Sequence, residues 1–279
     1  MLFERFSIAE QLADPFGGEV TLDAKLSVYI GDNSPEIDKD RKHPLVLICP
    51  GGAYAMTSDR EAEPIALQFL AAGIHAAVLR YTVAPNGRFP TQILEVARAI
   101  ELIRNHADEW NCDKDRIMIC GFSAGGHLCA SYATLWNHNF VKETLGVGAE
   151  TIRPNGAILC YPVIDSGEFA HRYSFECLLG ERKDDAEFLT LLSPQKQVSA
   201  DTPPMFIWHT FADDAVPVQN SLMMASALAA KNISVELHIF PEGGHGLSLA
   251  DERSGSHPGV WQKDCTVWID LAKRWAANL

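Results

Sequence analysis

One short run constrains the rest of this chain most strongly: Arg116-Ile-Met-Ile-Cys-Gly-Phe-Ser-Ala-Gly-Gly-His-Leu128. Ile117 to Cys120 are wholly apolar, the pattern of a strand buried on both faces in a parallel sheet. The run breaks into Gly121-Phe122-Ser123-Ala124-Gly125, a Gly-x-Ser-x-Gly pentapeptide, and small residues lead on into a helix expected from Gly126 to Leu135. Strand, glycine-bounded serine and helix are the context of a nucleophile elbow, in which a strained turn lifts the serine hydroxyl clear of the backbone. Glycines two residues either side are required because a Cβ would collide where strand and helix pass closest. The same turn aims the Ala124 amide, at a helix N-terminus, toward an oxyanion formed at Ser123.

The flanking sequence extends the α/β alternation. Buried strands are expected at Leu45–Cys49, Ala76–Tyr81, Ala157–Val163, Met205–His209 and Val235–Phe240. Helices are expected at 61–72, ending on Gly73, then at 92–110, 221–231 and 260–277. Strands alternating with helices specify a mostly parallel, doubly wound sheet flanked by helices. Residues 1–44 read as polar and turn-rich, with an antiparallel edge strand over 24–30 and an exposed loop over 32–43. Residues 165–203 are polar and weakly periodic, too long for an ordinary connection, and read as a small cap-like insertion near the site. A length of 279 residues suits one large α/β unit or two small ones.

In such sheets the loops at the C-terminal ends of strands decide function. Pro50-Gly51-Gly52-Ala53-Tyr54 follows a strand one βαβ unit ahead of Ser123, so the amides of Gly52 and Ala53 are candidates to complete an oxyanion hole with Ala124. Losing one such donor typically costs about 10²–10³ in turnover. His209-Thr-Phe-Ala-Asp-Asp-Ala-Val-Pro217 follows another strand; two adjacent aspartates leave the acid ambiguous, with Asp213 favoured and Asp214 read as a solvated or capping neighbour. Glycine-flanked His245 follows a third, placed to act as general base. Ser123, Asp213 and His245 therefore stand in the order Ser, Asp, His. His127 and His209 read as structural, the first packing beneath the elbow and the second shaping the acid loop. Tyr54 is a candidate pocket residue.

The balance of 23 basic against 36 acidic residues, a net charge of −13, argues against non-specific binding to nucleic acid or anionic membrane. The N-terminal residues show no basic region followed by an apolar one, and no apolar run approaches the roughly 20 residues of a membrane span. Seven cysteines without paired spacing, with Cys49, Cys120 and Cys160 in apolar runs, fit a reducing cytoplasm. No metal-ligand spacing, Gly-x-Gly-x-x-Gly or P-loop is present, so no metal or cofactor is expected. Self-association into a homo-oligomer is left open.

Over about Pro44 to Gly246 the chain resembles the α/β-hydrolase esterases of the acetyl esterase and acetyl xylan esterase-like group, related to the hormone-sensitive-lipase and feruloyl-esterase branches. The carriers are Pro50-Gly-Gly-Ala-Tyr54, Arg80-Tyr81 with Ala84-Pro85, Gly121-Phe-Ser-Ala-Gly-Gly-His-Leu128, Asp213-Asp-Ala-Val-Pro217 and Pro241-Glu-Gly-Gly-His-Gly246. Pro50 replaces the histidine that often precedes the glycines in that family, a change that leaves the amides untouched. The family's acid stands four residues after a strand-end histidine and four before a proline, which selects Asp213. The resemblance implies a single α/β-hydrolase domain over 1–279 and hydrolysis of short-chain carboxylic esters, acetyl groups on sugars among them, through a Ser–His–Asp triad and an acyl-enzyme. Two other readings share the constellation: an amide-hydrolysing serine hydrolase such as an arylformamidase or peptidase, and a hydrolase-fold protein that only binds a small ligand.

Overall fold

The computed structural model describes residues 1–255 and 257–279. Eight strands form one sheet: β1 (Leu2–Ala13), β2 (Glu19–Ile30), β3 (His43–Cys49), β4 (His75–Arg80), β5 (Cys112–Phe122), β6 (Gly156–Cys160), β7 (Met205–Thr210) and β8 (Val235–Phe240). Their spatial order is β1-β2-β4-β3-β5-β6-β7-β8, antiparallel at the first two pairings and parallel at all others. The helices are α1 (Glu63–Ala71), α2 (Thr91–Asn105), α3 (Ala124–Leu135), α4 (Asn139–Leu145), α5 (Ala149–Ile152), α6 (Arg172–Leu179), α7 (Ala186–Leu191), α8 (Gln219–Ala230) and α9 (Trp268–Asn278). None is long and apolar enough to cross a membrane, among the described residues.

Two cores, one on each face, explain why the central strands are apolar over their middle stretches. On one face, Leu45, Leu47 and Cys49 of β3 share a core with Ile93 and Ile100 of α2, Tyr132 of α3 and Leu228 of α8. On the other face, Val46 and Ile48 share a core with Phe69 of α1 and Trp268 and Ile269 of α9. The middle of a strand covered on both faces favours apolar side chains at every position.

The N-terminal region departs from expectation. It forms a long hairpin in register from Leu2↔Ile30 to Ala13↔Glu19, so β2 begins earlier than residue 24 and lies inside the sheet, with β1 at the edge. Charges break the alternation of β1, and one of them is satisfied inwardly: Glu10 receives Nε and Nη2 of Arg98 from α2, both at 2.8 Å. Helix α2 stops at Asn105, because the chain must turn with Asn111 left-handed (φ 52°) to enter β5 at Cys112. Strand β6 ends at Cys160, where Tyr161 takes φ 37° and Pro162 has no N–H to donate. The expected helix over 260–277 is confined to α9. Ahead of it Gln262 donates its amide to the Ala250 carbonyl at 2.8 Å, tying that stretch to the loop after β8. Within 165–203 the chain folds into α6 and α7, which are too short to show periodicity; Asp185 caps α7 through the amides of Glu187 and Phe188.

Two buried groups flank the sheet with opposite responses to pH. Burial, then the His43 ring stacked on it at 4.5 Å, lowers the His75 imidazole to about 4. Burial raises Glu95 to about 7, although donors from Thr82 and Asp23 partly offset it. His75 therefore contributes stability that is complete above its unfolded value near 6.5 and is lost as pH falls through 4. Glu95 contributes stability that is complete below about 4.5 and is lost as pH rises through 7. In thermal unfolding across pH 7 to 4, His75→Gln flattens the acid-side fall in Tm and Glu95→Gln steepens it, each by several degrees. Parallel curves for wild type and both variants would refute this assignment.

Candidate active site

Ser123 sits between β5 and α3 with φ 52° and ψ −116°, a strained backbone held by its amide on the Cys160 carbonyl at 3.0 Å and by its carbonyl, which accepts the amides of His127 at 2.9 Å and Val163 at 3.2 Å. The turn is possible only because the helix start and the strand end touch without side chains. A Cβ on Gly125 would stand 2.1 Å from the Cys49 carbonyl oxygen, and one on Gly121 equally close to the Gly125 carbonyl oxygen.

Three residues far apart in the chain meet at this turn. Ser123 Oγ lies 2.7 Å from His245 Nε2, and His245 Nδ1 lies 2.7 Å from Asp213 Oδ2. With the proton on Nδ1, the imidazole donates to the carboxylate and presents a free lone pair to the serine hydroxyl. Asp213 Oδ1 accepts the amides of Ala215 at 3.0 Å and Val216 at 2.9 Å. Burial alone would raise this carboxyl, but the donors from His209, His245 and Val216 outweigh it and hold Asp213 well below the usual carboxylate range. Asp214 is exposed and turned to solvent.

His209 is fully buried: Ser221 donates to its Nδ1 at 2.7 Å, and its Nε2 donates to the Val216 carbonyl at 2.9 Å and to Asp213 at 3.2 Å. It thus holds the acid loop closed.

The loop after β3 supplies the opposite wall. Gly52, Ala53 and Tyr54 take φ of 129°, 55° and 59° in succession. The Gly52 carbonyl accepts the amides of Ala55 and Met56, while the amides of Gly52 and Ala53 meet no acceptor among the described residues. Ala124 heads α3, where amides lack intrahelical acceptors. Gly52, Ala53, Ser123 and His245 line one cavity of about 550 Å³, together with Arg60, Glu61, His171 and Tyr173.

Tyr54, expected to shape the pocket, does not reach it. The ring is 1% exposed and its hydroxyl meets His127 Nδ1 at 2.7 Å, because the left-handed backbone turns the side chain down under the elbow. His127 in turn donates Nε2 to the Leu192 carbonyl at 2.9 Å, and burial lowers its imidazole to about 4.

The lining residues Arg60, Glu61, His171 and Tyr173 escape sequence reasoning. Glu61 reads as an ordinary acidic residue in a first helical turn, and His171 lies in the segment without periodicity. The His171 Nδ1 meets Ser174 Oγ at 2.8 Å; burial, then the neighbouring His245, pushes its imidazole down.

A mostly parallel sheet with a serine elbow, an acid after β7 and a histidine after β8 defines an α/β hydrolase. The family model of BD-FAE matches residues 33–228, and the chain belongs to that family. It is 39% identical over 234 residues to endo-1,4-beta-xylanase B of Butyrivibrio fibrisolvens, covering 82% of this chain and 36% of that protein. It is 32% identical over 205 residues to an acetylxylan esterase of Xylanibacter ruminicola, covering 72% and 40%. The chain thus spans well under half the length of these two relatives.

Among solved structures, an acetyl ester-xyloside bifunctional hydrolase from Caldicellulosiruptor lactoaceticus superposes with TM-score 0.76 at 38% identity, over 92% of this chain and 88% of that one. The carboxylesterase Cest-2923 from Lactobacillus plantarum WCFS1 superposes with TM-score 0.84 at 26% identity, over 100% and 98%.

The elbow geometry sets an expected contrast in denaturant unfolding. Gly125→Ala loses 4 kcal/mol or more, on the order of the severest single substitutions, because backbone must move. Gly244→Ala, beside His245 but with nothing within 4 Å of its Cβ position, stays within about 0.5 kcal/mol. Equal losses would contradict the packing argument.

Proposed function

We propose that the chain is a serine carboxylic-ester hydrolase acting on short-chain, acetyl-type esters, with acetylated sugars or xylo-oligosaccharides as the natural substrate class. The observation that carries this reading is the unbroken hydrogen-bond path from Ser123 Oγ through His245 to ionised Asp213, opening on a cavity beside unengaged amides. In the first step His245 takes the Ser123 proton as Oγ attacks the ester carbonyl. Charge developing on the carbonyl oxygen is met by the amides of Gly52, Ala53 and Ala124, which are fixed before reaction and need not reorganise. His245, oriented by Asp213, then gives the proton to the departing alcohol. Water, activated by the same imidazole, cleaves the acyl-enzyme and returns Ser123.

The substrate class draws support from the cavity and from the relatives. Arg60, His171 and Tyr173 give one wall hydrogen-bonding groups suited to a hydroxyl-rich alcohol. His171 and Tyr173 belong to the stretch 165–203, which on this reading is the insertion that shapes the alcohol side. The names of the similar proteins, acetylxylan esterase and acetyl ester-xyloside hydrolase, point the same way. Seven unpaired thiols are consistent with work in a reducing cytoplasm.

Hydrolysis of p-nitrophenyl esters from acetate to decanoate, by wild type and Ser123→Ala in parallel, tests the proposal. Activity peaks at acetate, and the variant loses on the order of 10⁶ in turnover, as in a serine protease stripped of its nucleophile. A wild type inert on every chain length, or a variant as active as wild type, would defeat the esterase reading; turnover of aryl formamides alone would move it to amides.

A further inference from the structure

Glu61 is a buried carboxylate that the reaction above does not use. It is 3% exposed, forms part of the wall of the catalytic cavity, and has no ion-pair partner among the described residues. A charge withdrawn from water without a counter-ion is costly unless its oxygens are hydrogen-bonded. Both are: Oε2 accepts the Gly51 amide at 2.9 Å, and Oε1 accepts the Tyr161 hydroxyl at 2.7 Å.

Each bond leads to a different catalytic loop. The Pro50–Gly51 peptide is gripped at both ends, its N–H by Glu61 and its carbonyl by the Tyr81 hydroxyl at 2.7 Å. The next carbonyl, of Gly51, accepts the Ser58 amide at 2.9 Å, so the plane that carries the Gly52 N–H is fixed as well. On the other side Tyr161 is the donor to Glu61, since burial and then the charge of Glu61 push its phenol well up. The same hydroxyl accepts the amide of Ser248, three residues past His245, at 2.9 Å. Ser248 Oγ reaches back to the Arg60 carbonyl at 2.6 Å. The Tyr161 ring also meets the His245 imidazole edge-on, centroids 5.2 Å apart at 74°.

We infer that Glu61 is a positioning residue that clamps the oxyanion loop to the histidine loop through Gly51, Tyr161 and Ser248, setting the distance between the Gly52 and Ala53 amides and the His245 imidazole. The kinetic arm of the inference rests on the esterase reading; the structural arm does not. A carboxylate suits the task because it accepts two donors from different directions and offers none of its own. Gln keeps an acceptor for Gly51, but its amide N–H faces the Tyr161 hydroxyl, which then loses its acceptor. Ala loses both bonds.

The test compares Glu61→Ala, Glu61→Gln and Tyr161→Phe with wild type, by steady-state kinetics on p-nitrophenyl acetate and by inhibition with phenylboronic acid, which forms a tetrahedral adduct on serine. Thermal unfolding and hydrogen–deuterium exchange of the segments 50–58 and 241–250 accompany these. Glu61→Ala lowers kcat about 100-fold with KM within about twofold, the size expected when oxyanion donors lose their aim. Boronate affinity falls in parallel. Glu61→Gln recovers part of the loss, and Tyr161→Phe loses about tenfold. Exchange rises in both segments together in Glu61→Ala.

If Glu61→Ala fails to fold, the Gln and Phe variants carry the same test. Unchanged kcat and boronate affinity at a lowered Tm would overturn the inference and leave Glu61 a packing residue. Exchange raised only in 50–58 would overturn the coupling of the two loops. Should wild type turn over no ester, the esterase reading falls, and the exchange measurement still decides the clamp.

Discussion

The site depends on one steric fact: the head of α3 passes so close to the end of β3 that no side chain fits between them. With the Cys49 carbonyl where the Gly125 Cβ would be, strand and helix can be brought together only by a turn that forces Ser123 into φ 52°. The serine's place on the cavity wall, the Ala124 amide and the proximity of the Gly52 loop all follow from that contact. A looser packing with alanine at these positions would relax the turn and withdraw the hydroxyl into it.

Electrostatics completes what packing begins. Asp213 lies beneath the surface but stays charged because four donors converge on it, and two of those donors are amides of its own loop. The carboxylate thus orders the backbone that presents it. Glu61 repeats the device on the other side of the cavity with amide and hydroxyl donors. In both cases a buried anion is tolerated because it organises otherwise unpaired backbone N–H groups.

What the sequence made legible follows the same physics. The parallel strands read clearly because burial on both faces makes Leu45–Cys49 of β3 and the end of β5 continuously apolar, and the elbow reads clearly because steric demand leaves only glycine at its flanks. Ser123, Asp213 and His245 are legible from their placement after strands; Asp213 is separated from Asp214 by geometry, one inside on His245 and one in solvent. The hairpin of β1 and β2 is obscured because inward Glu10 interrupts its alternation, its partner Arg98 lying on another element. Tyr54 misleads because a residue after two loop glycines looks free to face the pocket, whereas its left-handed backbone points it down. Glu61 is invisible because the hydroxyl that meets its carboxylate comes from Tyr161, 100 residues away in sequence.

The distances along the chain between these partners carry a consequence for how the protein is made. Ser123 and His245 are 122 residues apart, Glu61 and Tyr161 are 100 apart, and Tyr161 and Ser248 are 87 apart. Contacts of such separation are the slow ones to form, since each closes a long loop before it returns any stabilisation. During synthesis the elbow and the glycine loop emerge well before the strand that delivers the imidazole. Until β8 and the loop after it are in place, the strained turn holds Ser123 with no imidazole beside it.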